Sequence, residues 1–393
     1  MIQLRIETDL SFTGNRKTAK GTEGMPTVID LFCGVGGLTL GAARAGFQIA
    51  AAVDNNAQAK SAFKKNFPKY EYVDANIAEL TGAELIEKAQ IDINGIDGVI
   101  GGPPCQGFSR IGRRKPNDAR NNLFDHFFRL VAELQPTFYI AENVLGIRDS
   151  QFDEVRANAL ARVANYINLG PIILKASDFG AATSRERVFF IGIVVGRANG
   201  LTKDCFAPPA NVAKVNVGTA LLGLRQKISP EWQQEAQSWR TVTPHNSGPF
   251  WERIRDKIPE GVGDLEAIRR LQDENRVSGC LGTRHTKTVL ERFAKLAEGA
   301  IDGPSRAVRL ARKGFCPTLR SGSDPEHGSY QALRPIHPTE PRVITPREAA
   351  RLQGFPDWFQ FDSTKWHSFR QIGNSISPIL AESVLSRMKE FIE

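Results

Sequence analysis

The sequence predicts an α/β fold in which a parallel sheet is covered by helices. Two observations carry this reading. From Thr27 onward, short apolar runs alternate with helix-period segments, and a glycine-rich turn follows the first run. In chain order, "TVIDLF" reads as a strand, "LTLGAARAGF" as a helix, "QIAAAVD" as a strand and "AQAKSAFKKNF" as a helix. "GVIGG" is a further strand, "FDHFFRLVAELQP" a helix and "TFYIAEN" a strand, while "RVFFIGIVV" (Arg187 to Val195) is a buried strand. Beyond Gly196 the rhythm fails and Gly, Pro and Asn become frequent, with aromatic residues at Trp232, Trp239 and Trp251. That stretch is too long for a structureless loop, so it is a second domain or a long insertion. Order returns at "ITPREAARLQGF", where Thr345, Pro346 and Glu348 form a capping box with proline at the first helical position. A last helix spans Pro378 to Ile392.

With 393 residues, the chain is long enough for two domains, and its net charge of +8 favours an anionic partner. The five cysteines are far apart and form no C-x-x-C pair, which argues against a disulfide framework and a thiolate zinc site and for a reducing cytoplasm. No metal is expected. No signal-peptide core or membrane-length apolar run is present, and residues Met1 to Met25 read as a loosely ordered, mildly basic arm.

"DLFCGVGGLTLG" combines a strand, a glycine turn and a helix start. Gly34, Gly36 and Gly37 let a ligand approach the backbone, and the helix N-terminus offers free N–H groups. Asp54 ends the next strand, where an acid can accept hydrogen bonds from both ribose hydroxyls. A plain tight turn is the competing reading. The G-x-G-G spacing departs from G-x-G-x-x-G, which disfavours nicotinamide and flavin and leaves S-adenosylmethionine as the better cofactor.

In "GGPPCQGFS", Cys105 stands at the exposed end of a strand on a loop stiffened by glycine and proline. It is either a small buried hydrophobe or a nucleophile; a nearby helix N-terminus would raise its thiolate fraction. Arg110, Arg113, Arg114, Lys115 and Arg120 follow in a loop suited to a phosphate backbone or to solvent. Glu142 ends an apolar strand, where burial would raise its pKa and make it a proton donor; a helix-capping role competes. Arg185 and Arg187, at alternate positions, point to one face and suit an anionic or carbonyl-bearing substrate, or else a solvated edge.

Taken together, "DLFCGVGG", "GGPPCQGFS", "AENV", "SRERVFFIG", "HPTEPRVITPREAARLQGFPDWF" and "QIGNSISP" resemble, in this order, the motif series of the DNA (cytosine-5)-methyltransferases of prokaryotic type. The resemblance runs from Ile29 to about Ser386. It implies a Rossmann-like S-adenosylmethionine-dependent methyltransferase fold, a mixed sheet with helices on both faces, and a smaller inserted target-recognition domain. The catalytic domain would comprise 26–196 and 351–393, and the target-recognition domain 197–350. The implied activity is sequence-specific methylation of double-stranded DNA at C5 of a cytosine flipped from the stack.

By the same resemblance, Cys105 attacks C6 of the cytosine, and Glu142 hydrogen-bonds N3 and the amino group. Arg187, supported by Arg185, holds the base and organises the loop. Phe32 lies against adenine, the turn from Gly34 through Gly36 and Gly37 to Leu38 surrounds the methionine end, and Asp54 takes the ribose. Asn76, Ile77, Gly102, Pro104, Leu123, Asn374 and Ser375 match other cofactor contacts. Three features depart from the family pattern: Thr183 replaces the usual Gln, which could weaken a contact supporting the loop; Asn76 replaces Asp; and "GNSISP" replaces the commoner "GNAVPP".

Within the variable region, "PSRAVRLARKGFCPTLRSGS" carries Arg306, Arg309, Arg312, Lys313 and Arg320 without an acid, as phosphate contacts require. Family analogy suggests a restriction-modification role, with a cognate endonuclease acting on the same site but not in complex, and a monomeric enzyme. A tRNA cytosine-5 methyltransferase and a non-catalytic DNA-binding relative are the alternatives. A nicotinamide oxidoreductase would leave "PPCQ", "AENV" and the basic segment without a role.

Overall fold

The computed structural model describes residues 24–104, 122–198, 200–243, 247–321 and 334–393. Nearly all of the expected basic arm, Cys105 and the loop carrying Arg110, Arg113, Arg114, Lys115 and Arg120 lie outside the described residues.

The first half of the chain is built as expected from strand–helix units. β1 (Thr27–Leu31), α1 (Gly37–Arg44), β2 (Gln48–Asp54), α2 (Ala57–Asn66), β3 (Tyr72–Asp74), α3 (Gly82–Ala89) and β4 (Gly98–Gly101) come first. They are followed by α4 (Asn122–Leu134), β5 (Phe138–Asn143), α5 (Asp153–Ala161), β6 (Tyr166–Lys175) and β7 (Glu186–Val194). The seven strands form one sheet in the order β3-β2-β1-β4-β5-β7-β6. β1 to β5 run parallel, but β7 is antiparallel to both β5 and β6, so the sheet is mixed. β7 is the reversed strand because residues 176–185, with one 3-10 turn (Ala176–Phe179) and no crossover helix, return the chain from β6 beside it. Apolar side chains from the two faces of the sheet enter two separate core clusters, as expected when both faces are covered.

Between β7 and the chain's return, regular structure is sparse. It comprises α6 (Val217–Leu221), β8 (Arg240–Thr241), α7 (Pro249–Trp251), α8 (Leu265–Glu274), β9 (Arg276–Val277) and α9 (Lys287–Lys295). Arginine–aromatic contacts help to order it: Arg240 covers the Trp232 ring and Arg270 the Trp239 ring, while Trp251 is buried near Arg351. α10 (Pro346–Gln353) begins with the expected capping box and is continuous across residue 350. Its arginines are buried: Arg351 pairs with Asp357 at 2.6 Å and donates to the Leu222 carbonyl, and Arg347 donates to the carbonyls of Ser278, Pro356 and Phe359.

α11 (Lys365–Asn374) and α12 (Pro378–Ile392) bring the chain back to its first helix. A Cβ on Gly41 would stand 2.4 Å from the Ala381 Cβ and 2.7 Å from the Glu382 backbone nitrogen. Only glycine allows α1 and α12 to approach this closely. No helix among the described residues is long and apolar enough to cross a membrane.

Because backbone atoms oppose the added methyl, Gly41→Ala should destabilise the fold by about 1–3 kcal/mol despite alanine's better helix propensity. Chemical denaturation measures this; an unchanged or raised stability would show that the two helices can separate freely.

Candidate active site

The carboxyl ends of the parallel strands converge at one rim of the sheet, where open α/β sheets bind their ligands. β1 leads into the glycine turn, β2 ends at Asp54, β4 leads to Gly102–Pro104 and β5 ends next to Glu142. Antiparallel β7 enters from this rim, which is why Arg187 at its start meets the end of β5.

Within the turn, Phe32 has φ +59°, a left-handed conformation costly for an aromatic residue, and its ring is half-buried. Each glycine has a different neighbour. Gly34, at φ +55°, has no atom within 4 Å of a would-be Cβ and leaves open space. Gly36 lies against the Phe67 ring, and a Cβ on Gly37 would stand 2.0 Å from Ser375 Oγ. The turn is therefore closed behind by packing and open at Gly34. Leu38 is buried in α1. Asp54 accepts from Gly34 N–H and Asn56 N–H, both at 2.9 Å, and so fixes the turn against β2. Burial raises its pKa, while those amide hydrogen bonds act in the opposite direction. Each of its oxygens retains a further lone pair for a ligand hydroxyl.

Asn76 forms a local turn, accepting from Ala78 N–H and donating to Glu79. Ile77 is buried, and its carbonyl accepts at 2.9 Å from Arg129, which also binds the Leu80 carbonyl. Sequence reasoning missed Arg129, whose position on the polar side of α4 resembles that of an ordinary surface residue. Leu123 is half-buried in the first turn of α4. At the far end of the chain, Asn374 is exposed and Ser375 half-exposed; the Ser375 carbonyl accepts from Gln353 at 2.6 Å. Chain segments more than 300 residues apart thus share this rim. An open glycine, a half-buried ring, carboxylate lone pairs and an exposed amide lie along this rim and fit the chemistry of S-adenosylmethionine, with open space at Gly34.

Beside this space, Glu142 forms an ion pair with Arg187 at 2.7 Å, and both side chains are largely buried. The acid is thus paired, not isolated in an apolar pocket. A Cβ on Gly102 would lie 3.2 Å from Glu142 Oε2, and Asn143 donates to the Pro103 carbonyl, so the Gly102–Pro104 backbone is fitted to the end of β5. Pro104 is the last described residue before Cys105. Arg185 takes a different direction from Arg187. It is buried and donates to the carbonyls of Leu319 at 3.2 Å and Gly373 at 2.8 Å. Arg185 is thereby a tie between the basic segment and the Asn374 turn. Thr183 is also buried and donates to the Cys316 carbonyl at 3.0 Å, using its hydroxyl within the same seam.

The chain matches the C-5 cytosine-specific DNA methylase family over residues 26–390. It belongs to that family. The type II methyltransferase M.XorII of Xanthomonas oryzae is 40% identical over 364 residues, covering 91% of this chain and 83% of the relative. Among solved structures, an E. coli prophage protein described as a candidate DNA modification methyltransferase superposes with a TM-score of 0.84 at 47% identity, covering 93% of this chain and 99% of that one. The Schizosaccharomyces pombe Dnmt2 methyltransferase shares the fold, with a TM-score of 0.61 at 17% identity over 94% of this chain and 100% of that one. The chain is a DNA cytosine-5 methyltransferase of the type II class, and its mixed seven-stranded sheet is the S-adenosylmethionine-dependent methyltransferase fold.

Asp30 lies beneath the turn, fully buried, and accepts from Thr39 at 2.5 Å. Burial pushes its carboxyl up to about 7 from an ordinary value of 3.8. Between about pH 4 and about pH 7 the folded chain therefore retains a proton that the unfolded chain has released, and stability falls as pH rises through that window. Asp30→Asn keeps an acceptor for Thr39 but cannot ionise. Its Tm should match the parent's near pH 4 and exceed it at pH 8; thermal melts in which the variant is less stable at pH 8 would contradict this assignment.

Proposed function

We propose that the protein transfers a methyl group from S-adenosylmethionine to C5 of a cytosine flipped out of double-stranded DNA, with Cys105 as the nucleophile. The observation that carries this reading is the Glu142–Arg187 pair at 2.7 Å beside the backbone that leads into Cys105. The pair presents a carboxylate that can accept from the cytosine amino group and guanidinium N–H groups that can donate to its carbonyl. Flipping is required because the ring atoms are unreachable inside the stack.

In this mechanism the Cys105 thiolate forms a bond to C6 while Glu142 and Arg187 stabilise the charge that moves onto the ring. C5 thereby becomes nucleophilic. Bound S-adenosylmethionine supplies an electrophilic methyl group. Water then takes the C5 proton, the C5–C6 double bond re-forms as the C6–S bond breaks, and Cys105 leaves as a thiolate, so covalent addition divides a hard substitution into easier steps. Phe32, Gly34, Gly36, Gly37, Leu38 and Asp54 would hold the cofactor from the first two strands; Asn76, Ile77, Gly102, Pro104, Leu123, Asn374 and Ser375 would complete its site. Arg185 supports from behind by fixing the Leu319 and Gly373 carbonyls. Residues 26–196 and 351–393 would form the catalytic domain and 197–350 the target-recognition domain, with α10 as the joint. The type II relatives support a role alongside an endonuclease of the same specificity.

With duplex DNA and labelled S-adenosylmethionine, the protein should transfer label to DNA and not to tRNA. Cys105→Ser should abolish transfer while preserving DNA binding, and Glu142→Gln should lower kcat by roughly 10²–10⁴-fold. Transfer to tRNA alone would overturn the substrate assignment, and an active Cys105→Ser variant would overturn the covalent mechanism.

A further inference from the structure

The basic segment following α9 contains cations with different tasks. Arg309 is buried; it donates to the Phe293 and Leu296 carbonyls at the end of α9 and to the Pro338 carbonyl. Arg312 pairs with Glu298 at 2.6 Å. Arg309 is engaged by the fold, contrary to the expectation that it contacts phosphate, whereas Arg312 is exposed and its ion pair lies at the surface. Arg306, Lys313 and Arg320 are exposed and have no partner among the described residues.

Arg306 differs from the other two in its backbone. It occupies the turn of a short hairpin in which Ile301 bridges Val308, Asp302 N–H donates to the Ala307 carbonyl at 2.8 Å, and Arg306 N–H donates to the Asp302 carbonyl at 2.7 Å. Its φ is +58°, where glycine or asparagine would be less strained. No side-chain contact of Arg306 among the described residues offsets that strain.

The turn itself is rigidly supported. Asp302 is buried beneath it and accepts from Arg292 at 2.5 and 3.1 Å, from Ser305 N–H at 3.0 Å and from the Ser305 hydroxyl. The same stretch of chain then runs to Cys316, whose carbonyl accepts from Ser184 N–H at 2.9 Å, and to Leu319, held by Arg185. The chain that leaves the hairpin is therefore tied, at Cys316 and Leu319, to the residues that lead into the strand carrying Arg187.

We propose that Arg306 reads a guanine in the major groove of the target site. This rests on the DNA methyltransferase function proposed above. A guanidinium carried on a fixed turn matches the O6 and N7 acceptors of guanine bidentately, and the held backbone leaves only the side chain to be ordered on binding. Lys313 and Arg320, on unstrained backbone, contact phosphates.

The test uses the full-length protein, S-adenosylmethionine and a duplex library of randomised sequence, with methylated sites found by bisulfite sequencing. Wild type should give a consensus containing a guanine. Arg306→Gly should lose about 10- to 100-fold of the discrimination at that one base pair, with the other positions retained. Its Tm should equal or exceed the parent's, since glycine relieves the left-handed strain. Lys313→Ala should lower methylation evenly across sequences. An unchanged consensus, an even loss across sequences, or a lowered Tm for Arg306→Gly would each overturn the inference alone. A wild type that methylates no sequence would overturn the function on which it rests.

Discussion

The close approach of α1 and α12 is the constraint on which the rest of the structure depends. Gly41 admits the α12 backbone, and Gly37 admits Ser375, so the last segment of the chain must lie against the first turn. The same stretch of α12 carries Glu382, whose buried carboxylate binds Arg253 at 2.9 Å and also Lys257. Arg44, on α1, donates to the Arg253 and Lys257 carbonyls. One helix contact thus locks three parts of the chain: the first unit of the sheet, the region between β7 and α10, and the C-terminus.

The site is assembled by backbone direction before side-chain chemistry. Parallel strands deliver Asp54, Gly102 and Glu142 to one rim because they all end there, and a single reversed strand brings Arg187 to the same rim from its start. Arginines, one buried and one half-buried, then fix what the strands cannot. Arg185 holds the carbonyls of two distant segments, and Arg129 holds the turn containing Ile77. A lysine in either place would lose the forked geometry that allows one group to bind two carbonyls.

Much of this was legible in the sequence where the signal was local. The glycine turn, the strands of uninterrupted apolar residues, the capping box at Thr345 and the last helix stand where their patterns put them. Three elements had no such signal, and a fourth, α3, carried a capping box at Thr81 and Glu84 that went unread. β3 is only three residues long, and α5 is a short helix with a charged, exposed face. β6 is interrupted by Gly170–Pro171 and has an irregular register there. The antiparallel direction of β7 follows from β6, so it was hidden as well. In the site, residue types indicated Glu142 and Arg187, but nothing in the pattern distinguished Arg185 facing carbonyls from Arg187 facing an acid. Arg309 read as a phosphate contact, and Arg347 and Arg351 drew no reading at all, because polarity alone does not reveal a buried guanidinium that donates to carbonyls.

In the proposed reaction, the rim of the sheet presents cytosine to the thiol at residue 105. It is tested most directly with duplexes of randomised sequence in which 5-fluorocytosine replaces cytosine. Fluorine at C5 cannot leave as the proton does, so the bond between Cys105 and C6 cannot be released after methylation. With S-adenosylmethionine present, a denaturant-stable protein–DNA adduct should form, and peptide mass spectrometry should locate it at Cys105. Full methylating activity on ordinary cytosine with no such adduct, or with an adduct at another residue, would contradict it.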